Sequence, residues 1–446
     1  MKIIIAGAGD VGTHLAKMLS TEAHDLTVMD TDEEHLRRVG STCDVLTLYG
    51  SSSSISLLKD ANVHKADLFL GVTSSEEVNI TSAILAKNLG AKQTIARIDR
   101  LEYLQPKNRD LFMGLGIDYM FYPELIAAKE VIGLLQSGAT NDIVDFAGGK
   151  LSLLAVRINE TAPILNKSVN EFTHSFENIE FRAVAIIRNK ATIIPNGNDK
   201  FFLNDLVYVI TNKAGVEDIM RHTGIEKYEI NNIMILGGSR IGKNIALEMG
   251  DDHMVKLIEI DRTKSYTLSN ELHRALVINA DGRSRDLLIQ EGLPKMDAFI
   301  AVSGNSETNI LSCMLAKSVG VRKAIAEVEN LDYINLAEDM GIDAIINKKL
   351  TTASRIFRFT MSEEVSSIKC LAGTDAEVFE FEVKPYSKVT RGTLREIDFP
   401  KGSIVGGVIR GKNSFIATGD TEIRAYDRVV VFALPSAIDK VGKYFS

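Results

Sequence analysis

The chain of 446 residues has no tryptophan, only three cysteines, eight prolines and eight histidines. Cys43, Cys313 and Cys370 lie far apart, are odd in number and include no C-x-x-C pair. Neither a disulfide framework nor a structural zinc site is therefore expected, and a reducing cytosolic compartment fits. The histidines show no H-x-x-x-H spacing and stand in no Ser/His/Asp or Cys/His arrangement, so no metal site and no nucleophilic site is marked. No apolar run approaches the roughly 20 residues that span a bilayer. One of the longest, Val429 to Leu434, is strand-length and stops at Pro435. Glycines interrupt the first apolar stretch too soon for a signal peptide. Basic side chains are fewer than acidic ones, 51 against 59, a formal charge of −8. That balance argues against a general nucleic-acid binder, which needs a basic face for phosphates.

What the chain does have is a second copy of itself. A shift of 230 positions sets Gly7 on Gly237, Gly12 on Gly242, Asn79 on Asn309 and Tyr103 on Tyr333. Gly116-Ile117-Asp118 then meets Gly341-Ile342-Asp343 at a slightly smaller shift. Each half divides again. In the first, apolar runs Ile3–Ala6, Leu26–Met29, Val45–Leu48, Leu68–Val72 and Thr94–Ile98 alternate with helix-period segments such as Val11–Ser20 and Val78–Leu89. Ser74-Ser75-Glu76-Glu77 has the S-x-x-E form of a capping box. Alternation of this kind predicts βαβ units, hence α/β domains with a Rossmann-like, doubly wound parallel sheet. Beyond a helix-like stretch at Glu124–Gln136 the pattern changes. Closely spaced strands at Leu151–Ile158, Phe181–Ile187, Ala191–Ile194 and Leu206–Ile210 predict a small α+β domain, repeated later at Phe379–Val383, Ser403–Ile409, Phe415–Ala417 and Val429–Phe432. Phe201-x3-Asp205 and Ile423-x3-Asp427 precede the last strand of each set. The expected layout is four domains, at 1–122, 140–223, 231–350 and 365–446, with the joint between halves at Gly224–Asn232.

Gly7-Ala8-Gly9-Asp10-Val11-Gly12 fits G-x-G-x-x-G, follows a strand, opens a helix, and has Asp30 at the end of the next strand. In that context the first glycine permits the turn, the second lets a pyrophosphate approach the backbone, and the third allows close helix–strand packing. The helix N-terminus offers free N–H groups and partial positive charge. Asp30 can accept ribose hydroxyls, which favours NAD(H), ATP or ADP over a 2′-phosphorylated cofactor. The bland alternative is a glycine turn that serves packing alone. The second copy, Gly237-Gly238-Ser239-Arg240-Ile241-Gly242 with Glu259 at the strand end, has Ser239 in the middle glycine's place. Ser239 is expected to crowd a pyrophosphate, whereas Arg240 is suited to neutralise one. Nucleotide binding and retention for assembly alone both remain open for this copy. Arg97, at a strand end, is placed either for a phosphate or for a surface ion pair, and Glu327 replaces it in the second copy. Thr73 and Ser74 either line an adenosine pocket or cap the following helix. Asn79 and Asn309 read as inherited packing in preference to ligand contact.

The glycine loop, Val28-Met29-Asp30, the Val72-Thr73-Ser74 to Asn79 segment and the tandem layout over essentially the whole chain resemble the tandem RCK, or potassium-transport nucleotide-binding, family of peripheral subunits in Trk potassium uptake. The resemblance implies RCK N-terminal domains at 1–122 and 231–350 and RCK C-terminal domains at 140–223 and 365–446. It implies no enzyme. It implies a cytoplasmic regulator on the inner face of the plasma membrane that forms a tetrameric ring under a potassium-translocating Trk-type subunit, with NAD(H) and ATP/ADP as allosteric ligands. By position, Gly7, Gly9, Gly12 and Asp30 would hold the nucleotide, with Gly237, Gly242 and Glu259 as their second-copy counterparts. The alternative is an NAD-dependent oxidoreductase with duplicated Rossmann domains, for which the small domains offer a single His174 and no catalytic cluster.

Overall fold

The computed structural model describes residues 1–20, 24–136, 142–146, 148–174, 181–189, 191–223, 229–357, 359, 365–370 and 376–445. Part of the expected joint, 224–228, lies outside them, as does the side chain of His174. The chain gathers into two compact units, residues 1–129 with 346–360, and residues 130–345 with 361–446.

In the first unit the elements run β1 (Lys2–Ala6), α1 (Asp10–Leu19), β2 (Asp25–Asp30), α2 (Glu33–Thr42), β3 (Leu46–Tyr49), α3 (Ile55–Asp60), β4 (Leu68–Gly71), α4 (Glu76–Asn88), β5 (Gln93–Arg97), α5 (Pro106–Gly114) and β6 (Tyr119–Phe121). The strands form one sheet in the order β3-β2-β1-β4-β5-β6, parallel throughout. Ile3, Ile4, Ile5 and Leu68, Phe69, Leu70 are fully buried because helices cover both faces, which is why these strands read as unbroken apolar runs. The strand order reverses direction between β1 and β4, so the carboxyl end of β1 opens a crevice, the usual ligand position in such sheets. Helix α6 (Pro123–Gln136) follows β6.

The second unit carries two small antiparallel sheets and a repeat of the parallel one. The first small sheet takes β7 (Asp142–Phe146), β8 (Leu151–Arg157), β9 (Phe181–Arg188), β10 (Ala191–Ile193) and β11 (Leu206–Asn212), with α7 (Val169–His174) and α8 (Gly215–His222). The repeated parallel domain runs β12 (Asn232–Leu236), α9 (Arg240–Met249), β13 (Met254–Glu259), α10 (Arg262–Glu271), β14 (Ala275–Asn279), α11 (Arg285–Gln290), β15 (Ala298–Ala301), α12 (Ser306–Ser318), β16 (Lys323–Glu327), α13 (Ile334–Asp339) and β17 (Ala344–Ile346). Its order, β14-β13-β12-β15-β16-β17, copies that of the first sheet. Helix α14 (Lys348–Phe357) comes next in the chain and belongs to the first unit, where it packs on α1. The last sheet holds β18 (Val365–Cys370), β19 (Glu377–Glu382), β20 (Ser403–Arg410), β21 (Asn413–Ile416) and β22 (Arg428–Ala433), followed by α15 (Ile438–Phe445).

The two small sheets share one core, in which Leu151, Leu153, Tyr208 and Ile210 meet Val378, Ile404, Val430 and Phe432. The matched Asp205 and Asp427 have the same structural task. Each is about 1% exposed and accepts two bonds from one guanidinium. Arg188 Nε and a terminal nitrogen reach the Asp205 oxygens at 2.9 and 2.7 Å, and Arg410 repeats both distances on Asp427. The x3 spacing lets the acid also receive the backbone N–H three residues earlier, Phe202 at 2.7 Å and Arg424 at 2.8 Å.

Candidate functional site

The first glycine loop joins β1 to α1. Gly7 has φ +115°, a conformation that side chains disfavour, and a Cβ there would fall 2.8 Å from the Thr73 nitrogen. A Cβ on Gly12 would fall 1.8 Å from the Gly7 carbonyl oxygen. Both glycines are demanded by the fold itself. Gly9 is different: its φ is −65°, and a Cβ there would meet no atom within 4 Å. It is the N-cap of α1 and supplies no side-chain cap, so the first-turn N–H groups beside it are left for another acceptor. Ala8 is fully buried. The Asp30 carboxylate accepts the Ala8 N–H at 2.5 Å and the Asp32 N–H at 2.9 Å, tying the loop to the end of β2. Asp10, at the first position of α1, meets the ammonium of Lys349 from α14 at 2.9 Å. That hydrogen bond, with the weaker fields of Arg38 and His35, holds the Asp10 carboxyl below the usual carboxylate range. Lys349 was invisible to motif reading because it lies more than 300 residues away in the chain.

Thr73, which approaches Gly7, is tied to Arg97 by Asn79. The fully buried Asn79 carboxamide accepts from the Thr73 N–H at 2.8 Å and its hydroxyl at 2.7 Å, and donates to the carbonyls of Thr73 at 3.0 Å and Arg97 at 3.1 Å. Asn79 is thus a staple between the ends of β4 and β5. Asn309 repeats it on Ser303 and Glu327. Arg97 pairs with Asp99 at 3.4 Å, and its buried Nε has no hydrogen-bond partner. The expected capping box is offset by one residue. Ser75, not Ser74, caps α4 by accepting the Val78 N–H at 3.2 Å, and its hydroxyl donates to Glu77 at 2.9 Å. Ser74 is exposed, and Thr73 is spent on the Asn79 staple, so neither is the helix cap. The sequence reading also passed over Glu76, a buried acid that receives the Asp99 N–H at 2.9 Å and pairs with Arg100 at 2.7 Å.

The second loop has the same backbone but caps its own helix. Gly237 has φ +104°, and Cβ atoms on Gly237 and Gly242 would fall 2.8 Å from the Ser303 nitrogen and 2.2 Å from the Gly237 oxygen. Ser239 caps α9 from within, its hydroxyl accepting the Gly242 N–H at 3.3 Å. Glu259 accepts the N–H groups of Gly238 and Asp261, both at 2.9 Å, as Asp30 does in the first copy, and also binds Lys264 at 3.1 Å. Leu268 fills the space that the Ala8 side chain takes in the first copy, lying 2.4 Å from where a Gly238 Cβ would be. Ile241 is buried in the sheet–helix core. A cavity of 390 Å³ opens at this loop, lined by Gly238, Ser239 and Arg240 with Lys243, Lys264 and Leu268 among others. In the first unit a larger cavity, 500 Å³, is lined by residues such as Met113, Tyr119 and Phe121 at the β6 edge and includes no glycine-loop residue. Among the described residues no group of three or more His, Cys, Asp or Glu side chains is arranged to hold a metal ion.

Two Rossmann-like parallel-sheet domains, each followed by a small α+β domain on the same chain, define the tandem RCK class. The chain belongs to the TrkA family: the TrkA-N domain matches residues 3–123 and 233–348, and the TrkA-C domain matches 153–224 and 378–446. It is 31% and 32% identical to the Trk system potassium uptake protein TrkA homologs 1 and 2 of Methanosarcina mazei, with all of each chain covered. In fold it is similar to the GsuK channel bound to NAD, with a TM-score of 0.62 at 15% identity, covering 100% of this chain and 78% of that one.

Proposed function

We propose that the chain is a cytoplasmic, non-enzymatic regulatory subunit of a Trk-type potassium-uptake system, and that its first glycine loop binds NAD(H), ATP or ADP. The observation that carries the site is the contrast between the loops. The N-terminus of α1 has no side-chain cap and open space over Gly9, whereas α9 is capped by Ser239, which stands in Gly9's place. A phosphate at α1 would receive the first-turn N–H groups, of which Ser239 satisfies one in α9, that of Gly242. The family membership, and the NAD held by a channel of the same fold, support the nucleotide and potassium parts of the reading. Among the described residues no helix is long and apolar enough to cross a membrane, so on this reading a separate subunit supplies the pore. The chain would meet it at the inner face of the plasma membrane as a ring of four copies. Ligand binding moves the ring by population shift, which requires the nucleotide to bind one ring geometry more tightly than another.

The test is calorimetric titration of the full chain with NADH, NAD, ATP and ADP, beside an assay for NADH consumption. Binding without turnover is expected, and turnover would overturn the regulatory reading. Gly9→Ala leaves the melting curve unchanged, because its Cβ meets nothing, but lowers nucleotide affinity at least tenfold, about 1.4 kcal/mol, by blocking pyrophosphate approach. Unchanged affinity would remove the first loop as the site. Asp30→Ala removes the ribose acceptor and frees the Ala8 and Asp32 N–H groups. NADH binding should weaken by about 1–3 kcal/mol, and unaltered NADH affinity would contradict this role for the acid.

A further inference from the structure

The feature that the nucleotide reading does not absorb is the ion pair at the mouth of the open loop. Asp10 is an odd residue to find there. An anionic side chain on the first turn of a helix suits the helix dipole, but it repels any phosphate brought to the same N-terminus. Lys349 cancels that charge, and it is held in place to do so. Its side chain is only 17% exposed, against 60% for Asp10, so the acid is the outward partner and the ammonium the sheltered one. The start of α14 is fixed by Asn347, 4% exposed, whose side-chain oxygen accepts the N–H groups of Lys349 and Leu350, both at 3.0 Å. Helix α14 itself packs along α1.

The duplication supplies an independent observation. The register that sets Gly116-Ile117-Asp118 on Gly341-Ile342-Asp343 also sets β6 on β17 and Glu124 on Lys349, while the glycine-loop register sets Asp10 on Arg240. The loop position is therefore anionic in the first copy and cationic in the second. In the first copy the cation comes from the helix, not from the loop.

We infer that Lys349 sets the preference of the first glycine loop among nucleotides according to their phosphate charge, by neutralising Asp10 beside the bound phosphates. The inference rests on the nucleotide-binding reading of that loop. Without Lys349, the Asp10 carboxylate faces the incoming phosphates with only Arg38 and His35 of α2 to offset it. The penalty then grows with ligand charge. ATP carries one more phosphate charge than ADP, and ADP one more than NADH. At a separation of a few ångströms near a solvated surface, each added charge costs roughly threefold to tenfold in affinity. The effect is electrostatic and shrinks as salt is added.

The experiment is titration of the full-length chain and its variants with NADH, ADP and ATP in magnesium-free buffer at low and high salt. Lys349→Met is expected to weaken ATP most, ADP less and NADH least, with the spread narrowing at high salt. Asp10→Asn is expected to do the reverse, strengthening ATP most. This variant alters an exposed side chain and tests the inference even if Lys349→Met fails to fold. The double variant returns the ATP-to-NADH ratio to near that of the unaltered chain. If Lys349→Met and Asp10→Asn change all three affinities equally, or not at all, the pair is only a staple between α1 and α14, and the inference is overturned. If the unaltered chain binds none of the three, the nucleotide reading falls first, before any variant is measured.

Discussion

Gly12→Ala is expected to destabilise the first Rossmann domain and abolish nucleotide binding there. The new Cβ would lie 1.8 Å from the Gly7 carbonyl oxygen. Neither atom can move aside as a flexible side chain would. Gly7 is anchored by its N–H on the Met29 carbonyl at 2.8 Å and by the close approach of Thr73. The start of α1 must therefore shift outward, at a cost of about 3 kcal/mol. For a unit of this size that lowers the melting transition by roughly 6–12 °C. Scanning calorimetry resolves the unit's transition, and titration shows whether binding survives. A variant that melts and binds like the unaltered chain would refute the tight loop. Set beside Gly9→Ala, the pair separates the glycine required for folding from the one required for ligand approach.

Arg410→Ala is expected to be as severe in the last small domain. It leaves the Asp427 carboxylate, about 1% exposed, without its cation and with both fork hydrogen bonds lost. Removing one partner of a buried pair costs about 3–5 kcal/mol. The opposite change, Asp427→Asn, leaves an arginine whose side chain is already 33% exposed and can turn to water, so about 1–3 kcal/mol is expected. Denaturant titration of both variants gives the order. Equal costs would mean that the fork, not the buried charge, dominates. Arg188 and Asp205 should behave alike, since their bond lengths are the same.

The parallel sheets were legible because strands buried on both faces become unbroken apolar runs, as Ile3-Ile4-Ile5 shows. The glycine loop was legible because its residues are local and their spacing has a steric cause. The three-residue edge strands Tyr119–Phe121 and Ala344–Ile346 are too short to carry a period, and the first strands of the small domains, Asp142–Phe146 and Val365–Cys370, were also missed. Ser239 was flagged as a departure from the motif, but its hydroxyl on the Gly242 N–H is a fact of rotamer and backbone that no spacing rule contains. The same holds for the cap, where Ser74 and Ser75 are equivalent on paper and it is Ser75 that accepts the Val78 N–H. Least legible was α14. Its apolar face could be anticipated, but amphipathicity names no partner, and so the contact of Lys349 with Asp10 had to come from the fold.

The shared core of the two small sheets has a consequence for behaviour on dilution. Leu151 and Ile210 of one and Ile404 and Phe432 of the other bury each other within a single chain. Two such modules on separate polypeptides would need to find one another, and their association would follow concentration. Joined by one backbone, each faces the other at an effective concentration on the order of millimolar, whatever the amount of protein in the cell. The tether also relaxes any need for self-complementarity. One side of the pair can keep Arg182, half-buried and donating to the Ala417 carbonyl, where the other has Ile404 at the matching place in β20. A symmetric dimer would have to place that guanidinium at the seam twice, whereas this chain does so once.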